Sequence, residues 1–249
     1  MRVDRNKIIK FCEEYLKVSE FEDHCVNGLQ VEGKKEVKKI ITGVSFSQKL
    51  IQEALKCKAD MLIVHHGFFI KPIGSPPSIK GYMRDRLKLL LENDINLCGF
   101  HLPLDAHPEI GNNISLCRLL GLKKTESFYV GFLGDLDKSI DFEFFAEKVN
   151  KKLNTNSITM QFGPKMVKRV GIVSGGASPE FALAKELGAD TYICGDIREE
   201  VVRAIEESGM NFINAGHYNT EKLGIQNLGD LIAKKFKVDL EFVDVPCDV

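Results

Sequence analysis

Apolar runs of strand length alternate with segments of helical period along almost the whole chain, and few architectures accept such a rhythm. Residues 4–18 read as a helix, 40–44 (IITGV) as a strand and 47–57 as a helix. A strand at 61–64 (MLIV) runs directly into His65-His66-Gly67. A loop with Pro72, Gly74, Pro76 and Pro77 follows, then a helix near 81–92 and a strand at 95–100 (INLCGF). A polar loop, 101–109 (HLPLDAHPE), leads to a helix starting near Asn112. The pattern resumes with strands at 170–174, 191–194, 211–215 and 240–245, and with helices at 179–187, 198–208 and 219–236. Residues 123–167 are less regular, with Gly131, Gly134 and Gly163-Pro164, and read as the joint between two halves. The expected fold is α/β: two similar lobes, 1–125 and 126–249, with mixed sheets covered by helices and together one unit.

The halves echo each other. Lys38-Lys39-Ile40 precedes one strand and Lys168-Arg169-Val170 another, while Ala59-Asp60 matches Ala189-Asp190 in the same register. That register sets His65-His66 opposite Gly195-Asp196. A second echo, in a different register, pairs His101-x-x-x-Asp105 with His217-x-x-x-Glu221. The pattern reads as an imperfect duplication.

With 44% hydrophobic and 28% charged residues and a net charge of −1, the chain reads as an ordinary soluble protein without the charge of a nucleic-acid magnet. Basic clusters at Lys34, Lys35, Lys38 and Lys39, at Lys151 and Lys152, at Lys165, Lys168 and Arg169, and at Lys234, Lys235 and Lys237 read individually as solvated faces. The first residues carry scattered charges and no apolar core of a signal peptide, so a cytoplasmic protein with no membrane partner is expected. The seven cysteines contain no Cys-x-x-Cys and read as reduced, mostly buried thiols.

Ligands of open α/β sheets bind beyond the carboxyl ends of the strands. His65-His66, His101 through Asp105, and His217 through Glu221 all follow expected strands there. Imidazoles mixed with carboxylates suit zinc, iron or manganese, and a carboxylate can bridge two ions. His217 and Glu221 would share a face on a helix. His24 and His107 read as ordinary satisfied histidines. Ser174-Gly175-Gly176-Ala177, between a strand and a helix, reads either as a cradle for an anion or as a tight turn.

Several motifs then appear in one order: residues 24–31 (HCVNGLQV), Ile63-Val64-His65-His66-Gly67, Gly99-Phe100-His101-Leu102-Pro103-Leu104-Asp105, Gly111-Asn112-Asn113, residues 171–177 (GIVSGGA), and Ala215-Gly216-His217 with Glu221. Together they resemble the type-2 GTP cyclohydrolase I homologues, also called the Nif-three-like family, in the short form without a middle inserted domain. The resemblance implies a dinuclear metal site in the cleft between the lobes. Carried over motif by motif, the ligands are His65, His66, Asp105, His217 and Glu221, holding two divalent ions per chain (Fe, Zn or Mn). His101 matches a position near the metals, a place for a proton shuttle. Asp196 sits where relatives often carry Glu. With Ser174, Gly175 and Gly176 it makes up the expected substrate contacts. A ring-like homohexamer built from dimers is also implied.

The family label does not carry an activity by itself, because true GTP cyclohydrolase I uses a zinc site with cysteine ligands. Three functions follow as expectations. The first is a metal-dependent hydrolase acting on an unidentified small molecule, nucleotide-like or a cyclic amide. The second is a hexameric ring whose basic clusters bind single- or double-stranded DNA without sequence preference. The third is a carrier of metal, such as iron, or a metallocofactor assembly protein.

Overall fold

The computed structural model describes residues 2–69 and 78–247, so the expected loop with Pro72, Gly74, Pro76 and Pro77 lies outside the described residues. In chain order, the first elements are β1 (Val3–Asp4), α1 (Arg5–Tyr15), β2 (Gly28–Val31), β3 (Glu36–Val37), β4 (Lys39–Ser45), α2 (Gln48–Lys56) and β5 (Met61–His66). Then come α3 (Tyr82–Glu92), β6 (Asn96–Gly99), α4 (Leu102–Ala106), α5 (Asn112–Leu119), β7 (Lys123–Phe128), β8 (Gly131–Asp141), α6 (Phe142–Leu153) and β9 (Ile158–Gln161). The last are β10 (Met166–Ile172), α7 (Phe181–Glu186), β11 (Thr191–Cys194), α8 (Glu199–Ser208), β12 (Asn211–Asn214), α9 (His217–Thr220), α10 (Lys222–Phe236) and β13 (Asp239–Phe242). Local chemistry sets several starts: Asp4, Ser47 and Asp141 each cap a helix by accepting a hydrogen bond from a backbone N–H of its first turn.

The chain divides into two units, Met1–Leu104 with Ile225–Val245, and Asp105–Gly224 with Pro246–Val249. The expected boundary at 125/126 is therefore not where the chain divides. β13 returns to pair in parallel with β4 and takes most of α10 into the first unit. α5 packs on β7, β8 and β10 and belongs to the second. The first unit holds a sheet of order β13-β4-β5-β6-β2, in which only β2 runs antiparallel to its neighbour. Ile41, Leu62 and Leu97 of this sheet pack with Leu50, Ile51 and Ala54 of α2 and Leu90 of α3. The second unit holds a sheet of order β7-β8-β10-β11-β12-β9. There Val170, Ile172, Ile193 and Ile213 pack with Phe145 and Val149 of α6 and with Leu116 and Leu120. The class is mixed α/β, as expected.

Residues 123–167 correct the sequence reading. They are no joint: they supply β7, β8 and β9 to the second sheet and α6 to the core packed on it. The 101–109 stretch, read as a loop, contains the short helix α4. The helix expected over 219–236 is two, α9 and α10, divided at Glu221, whose φ of −114° and ψ of 10° leave the helical region.

The sequence echo has a structural cause. Asp60 Oδ2 accepts from the backbone N–H groups of Lys38 and Lys39, and Asp190 Oδ2 accepts from those of Lys168 and Arg169. Asn96 and Asn211 continue the correspondence. Each side chain accepts from a glycine N–H, of Gly33 or Gly163, and donates to the next carbonyl, of Lys34 or Pro164. Each unit is thus built on parallel strands stapled at their amino ends by one Asp and one Asn. Both asparagines are fully buried, so truncation strands backbone groups. Asn96→Ala and Asn211→Ala should each cost about 3 kcal/mol, read as a lower midpoint in urea unfolding at unchanged slope.

Candidate functional site

In the first unit β5 ends on the histidine pair, so these side chains belong to the strand rather than to the loop after it. His65 is fully buried, and its Nδ1 lies 2.9 Å from the Phe100 carbonyl oxygen. A carbonyl only accepts, so Nδ1 carries the proton and Nε2 holds the lone pair, the tautomer a metal ligand needs. His66, opposite Ser45 in the β4–β5 register, meets its hydroxyl at 3.1 Å through Nδ1. Although the two residues are successive on the strand, their rings lie tilted against each other with centroids 4.6 Å apart. His101 completes the group. Its ring lies 5.0 Å from that of His65 and 5.5 Å from that of His66, and the three residues can offer ligand atoms within 4.8 Å of one another.

Asp23 was missed by sequence reasoning. It is buried, and its carboxylate lies 3.0 Å from His101 Nδ1. It also accepts from the N–H groups of Cys25 and Leu102 and from Asn27 Nδ2. Burial pushes its pKa up, but the hydrogen bonds from His101, Asn27 and Cys25 outweigh this and hold the carboxyl well below its ordinary range. Asp23 therefore fixes His101 with Nδ1 protonated and Nε2 as the reactive nitrogen.

The 24–31 motif gains a role in the same way. Asn27 Oδ1 accepts from His101 N–H. Gln30 accepts from the N–H groups of Phe68 and Phe69 and donates to the Val26 carbonyl, pinning the chain just after His66. A Cβ at Gly67 would overlap the Gln30 amide, so a side chain there would displace it from these hydrogen bonds. His24, Cys25, Asp23 and His101 form a second group able to offer converging ligand atoms. His107 behaves as expected of an ordinary histidine, its Nδ1 accepting from the N–H groups of Glu109 and Ile110.

The second unit carries the carboxylates. Asp105 is buried, and its Oδ1 accepts from Asn112 Nδ2 at 2.8 Å and from the Ser174 hydroxyl at 3.0 Å. Asn113 accepts from the Ser174 N–H and donates to the carbonyls of Asp105 and Val130. The Gly111-Asn112-Asn113 motif is thus the clamp on Asp105. His217 opens α9, and the buried Glu221 lies just past its end. Their Nε2 and Oε2 atoms meet at 3.2 Å although no single helix holds both. The hydrogen bond to Glu221 raises the His217 pKa, and the charges of Glu221, Asp196 and Asp105 add to this, against a lowering by burial. A histidine set among carboxylates is a place that favours a cation. A metal ion taking His217 would have to displace its proton.

The Ser174-Gly175-Gly176 turn serves this cluster. Gly175 has φ +66°, and a Cβ there would stand 2.1 Å from Glu221 Oε1 and 3.1 Å from His217 Nε2. Its N–H donates to Thr220 Oγ1, a bond that belongs to the tight-turn reading and leaves this donor taken within the chain. Asp196 lies beside the turn, its Oδ2 3.2 Å from where a Cβ at Gly176 would be. Of the seven cysteines, five are buried, Cys57 is half-buried and Cys247 exposed, and all are free thiols. Among the described residues no helix is long and apolar enough to cross a membrane.

The sequence profile of Duf34/NIF3 (NGG1p interacting factor 3) matches residues 3–248. A protein of Haemophilus influenzae named GTP cyclohydrolase 1 type 2 homolog is 43% identical over 236 residues, covering 92% of this chain and 93% of that one. Among solved structures, protein ybgI, of unknown function, superposes with a TM-score of 0.95 at 38% identity, covering 99% of this chain and 100% of that chain. The protein TTHA1606 from Thermus thermophilus gives 0.91 at 33% identity, with the same coverage. The chain belongs to the Duf34/NIF3 family.

Proposed function

We propose that the chain holds two divalent metal ions on His65, His66, Asp105, His217 and Glu221 and hydrolyses a nucleotide-like or cyclic amide substrate with them. The observation that carries this reading is the group of His65, His66 and His101, whose ligand atoms converge within 4.8 Å. The donor chemistry fits: imidazole nitrogens with carboxylate oxygens suit iron, zinc or manganese, and no thiolate is needed. Ions held there would supply Lewis acidity toward water and toward a carbonyl or phosphoryl group.

The chain's own residues do the rest. The Phe100 carbonyl orients His65, and Ser45 meets His66. Asn112 and Ser174 hold the Asp105 carboxylate in one rotamer. His101, anchored through Nδ1 by Asp23, presents Nε2 to take or return a proton.

The test is metal content by plasma mass spectrometry on tag-free protein beside a His65→Ala, Glu221→Ala variant. The wild type should carry about two ions per chain, and the variant should lose them while keeping its circular dichroism. A folded wild type that takes up no added iron, zinc or manganese would overturn the reading. With metal established, a hydrolysis screen over nucleotides and cyclic amides should show activity that falls on the order of 100-fold or more in His101→Gln.

A further inference from the structure

We propose a second binding site in the first unit, at the opposite end of its parallel strands from His65 and His66, for a small molecule with clustered phosphate groups, such as an inorganic or nucleoside triphosphate. A cavity of about 710 Å³ opens there, with Arg2, Lys34, Lys35, Lys38, Lys39 and Lys58 in its lining. Its size is that of a small-molecule site. Lys34 is paired with Asp60 at 2.8 Å and Lys39 with Glu241 at 3.2 Å. Arg2, Lys35, Lys38 and Lys58 form no ion pair among the described residues, so four unpaired cations line one concavity.

Taken alone, exposed lysines are ordinary. The duplicated architecture supplies the control. The strand-end staples set Lys35, Lys38 and Lys39 in correspondence with Lys165, Lys168 and Arg169 of the second unit. There the same positions are neutralised or tied down. Lys165 pairs with Asp141, Lys168 Nζ donates to the carbonyls of Leu136 and Asp137, and Arg169 pairs with Glu126 and Asp135. β8, which brings most of those partners, has no equivalent beside β4, where β13 lies instead. One scaffold thus closes its basic end in one unit and leaves it open in the other.

Lys58 sharpens the contrast. It ends α2 in the left-handed region at φ +54° and is matched by Gly188, at φ +87°. Both positions close their helices alike. The N–H groups of Lys58 and Gly188 return to Leu55 and Lys185, and those of Ala59 and Ala189 return to Ala54 and Ala184. Glycine is the unstrained residue for that conformation, yet the first unit carries a cation there. Lysine is a point-charge binder of phosphate, and several converging on one cavity match an anion of concentrated charge.

Glu36 and Asp239 also line the cavity. They oppose a long phosphate backbone tracking across it, while leaving room for a compact ligand whose phosphates lie against the lysines. The ligand is therefore placed as a small polyphosphate rather than a nucleic acid.

The experiment is calorimetric titration of the full chain with inorganic tripolyphosphate at two salt concentrations. It is repeated on Lys35→Gln/Lys38→Gln/Lys58→Gly and on Lys165→Gln/Lys168→Gln. Lys58→Gly removes the charge and relieves the backbone, so folding is preserved at that position. The expected result is binding that weakens with salt, falls about 10-fold or more in the first variant and is unchanged in the second. Equal binding by all three proteins would overturn the proposal, because the phosphates would then be held elsewhere, at bound metal included. So would the absence of binding to the wild type. A single-stranded oligonucleotide that binds through the same lysines while tripolyphosphate does not would replace the small ligand with a nucleic acid.

Discussion

At the proposed metal site, Gly175→Ala should lower metal affinity by about 10- to 100-fold while leaving the protein folded, the effect of one methyl group. Two effects combine. The backbone at φ +66° is a conformation that an L side chain enters at a cost of about 1–2 kcal/mol. The new Cβ would also stand 2.1 Å from Glu221 Oε1 and 3.1 Å from His217 Nε2, so both groups must shift. Glu221 is 2% exposed and cannot swing into water. Gly188→Ala separates the two effects. It meets the same backbone penalty at φ +87°, but its nearest new neighbour is Arg169 Nε at 3.9 Å. That variant should lose about 1 kcal/mol of stability and keep its metal. Thermal unfolding and competition with a chelator read both quantities. Equal metal retention in the two alanine variants would show that the glycine is there for its backbone alone.

How much of this arrangement could be read from the sequence follows from how far apart its parts lie. The strand-helix alternation was legible because parallel strands buried on both faces are continuous apolar runs, as β5 and β11 are. The duplication was legible through Ala59-Asp60 and Ala189-Asp190 because both aspartates perform one task, holding two successive backbone N–H groups. Residues 123–167 were not legible, since the exposed end of β8 (Asp137, Lys138, Ser139) hides a strand of 11 residues behind polar side chains. β2 was missed because it is short and its Gln30 turns to backbone groups instead of marking an alternation. The return of β13 to β4 is a pairing of distant segments that no local pattern announces. The spacing of His217 and Glu221 predicted their meeting, but through a helix that the chain breaks at Glu221. Asp23 had little local signal, because its partner His101 is 78 residues away. Only its place just before the 24–31 motif pointed to it.

Asp23→Asn should be the most damaging isosteric change in the first unit. The carboxylate accepts from Cys25 N–H and His101 Nδ1 on one oxygen, and from Asn27 Nδ2 and Leu102 N–H on the other. An asparagine presents one oxygen and one NH2, so either orientation sets a donor against donors in a site where the side chain is only 2% exposed. Loss of charge-assisted bonds on one side should cost about 3–5 kcal/mol. His101 then loses the partner that fixes its tautomer, and its Nε2 is no longer reliably the lone-pair nitrogen. Metal affinity or turnover should fall about 10-fold or more through this loss of orientation, in a variant that still binds the probe at the basic cavity. The pH dependence distinguishes the charge from the shape. The Asp23 pKa is depressed on folding from an ordinary 3.8, so its stabilisation is fully present above that value and is lost as pH falls through the folded one. The difference in unfolding free energy between wild type and variant should therefore shrink as pH falls below about 4. A difference that instead stayed constant below about pH 4 would mean that these bonds do not hold Asp23 ionised, and the picture of Asp23 as a charged anchor would have to be abandoned.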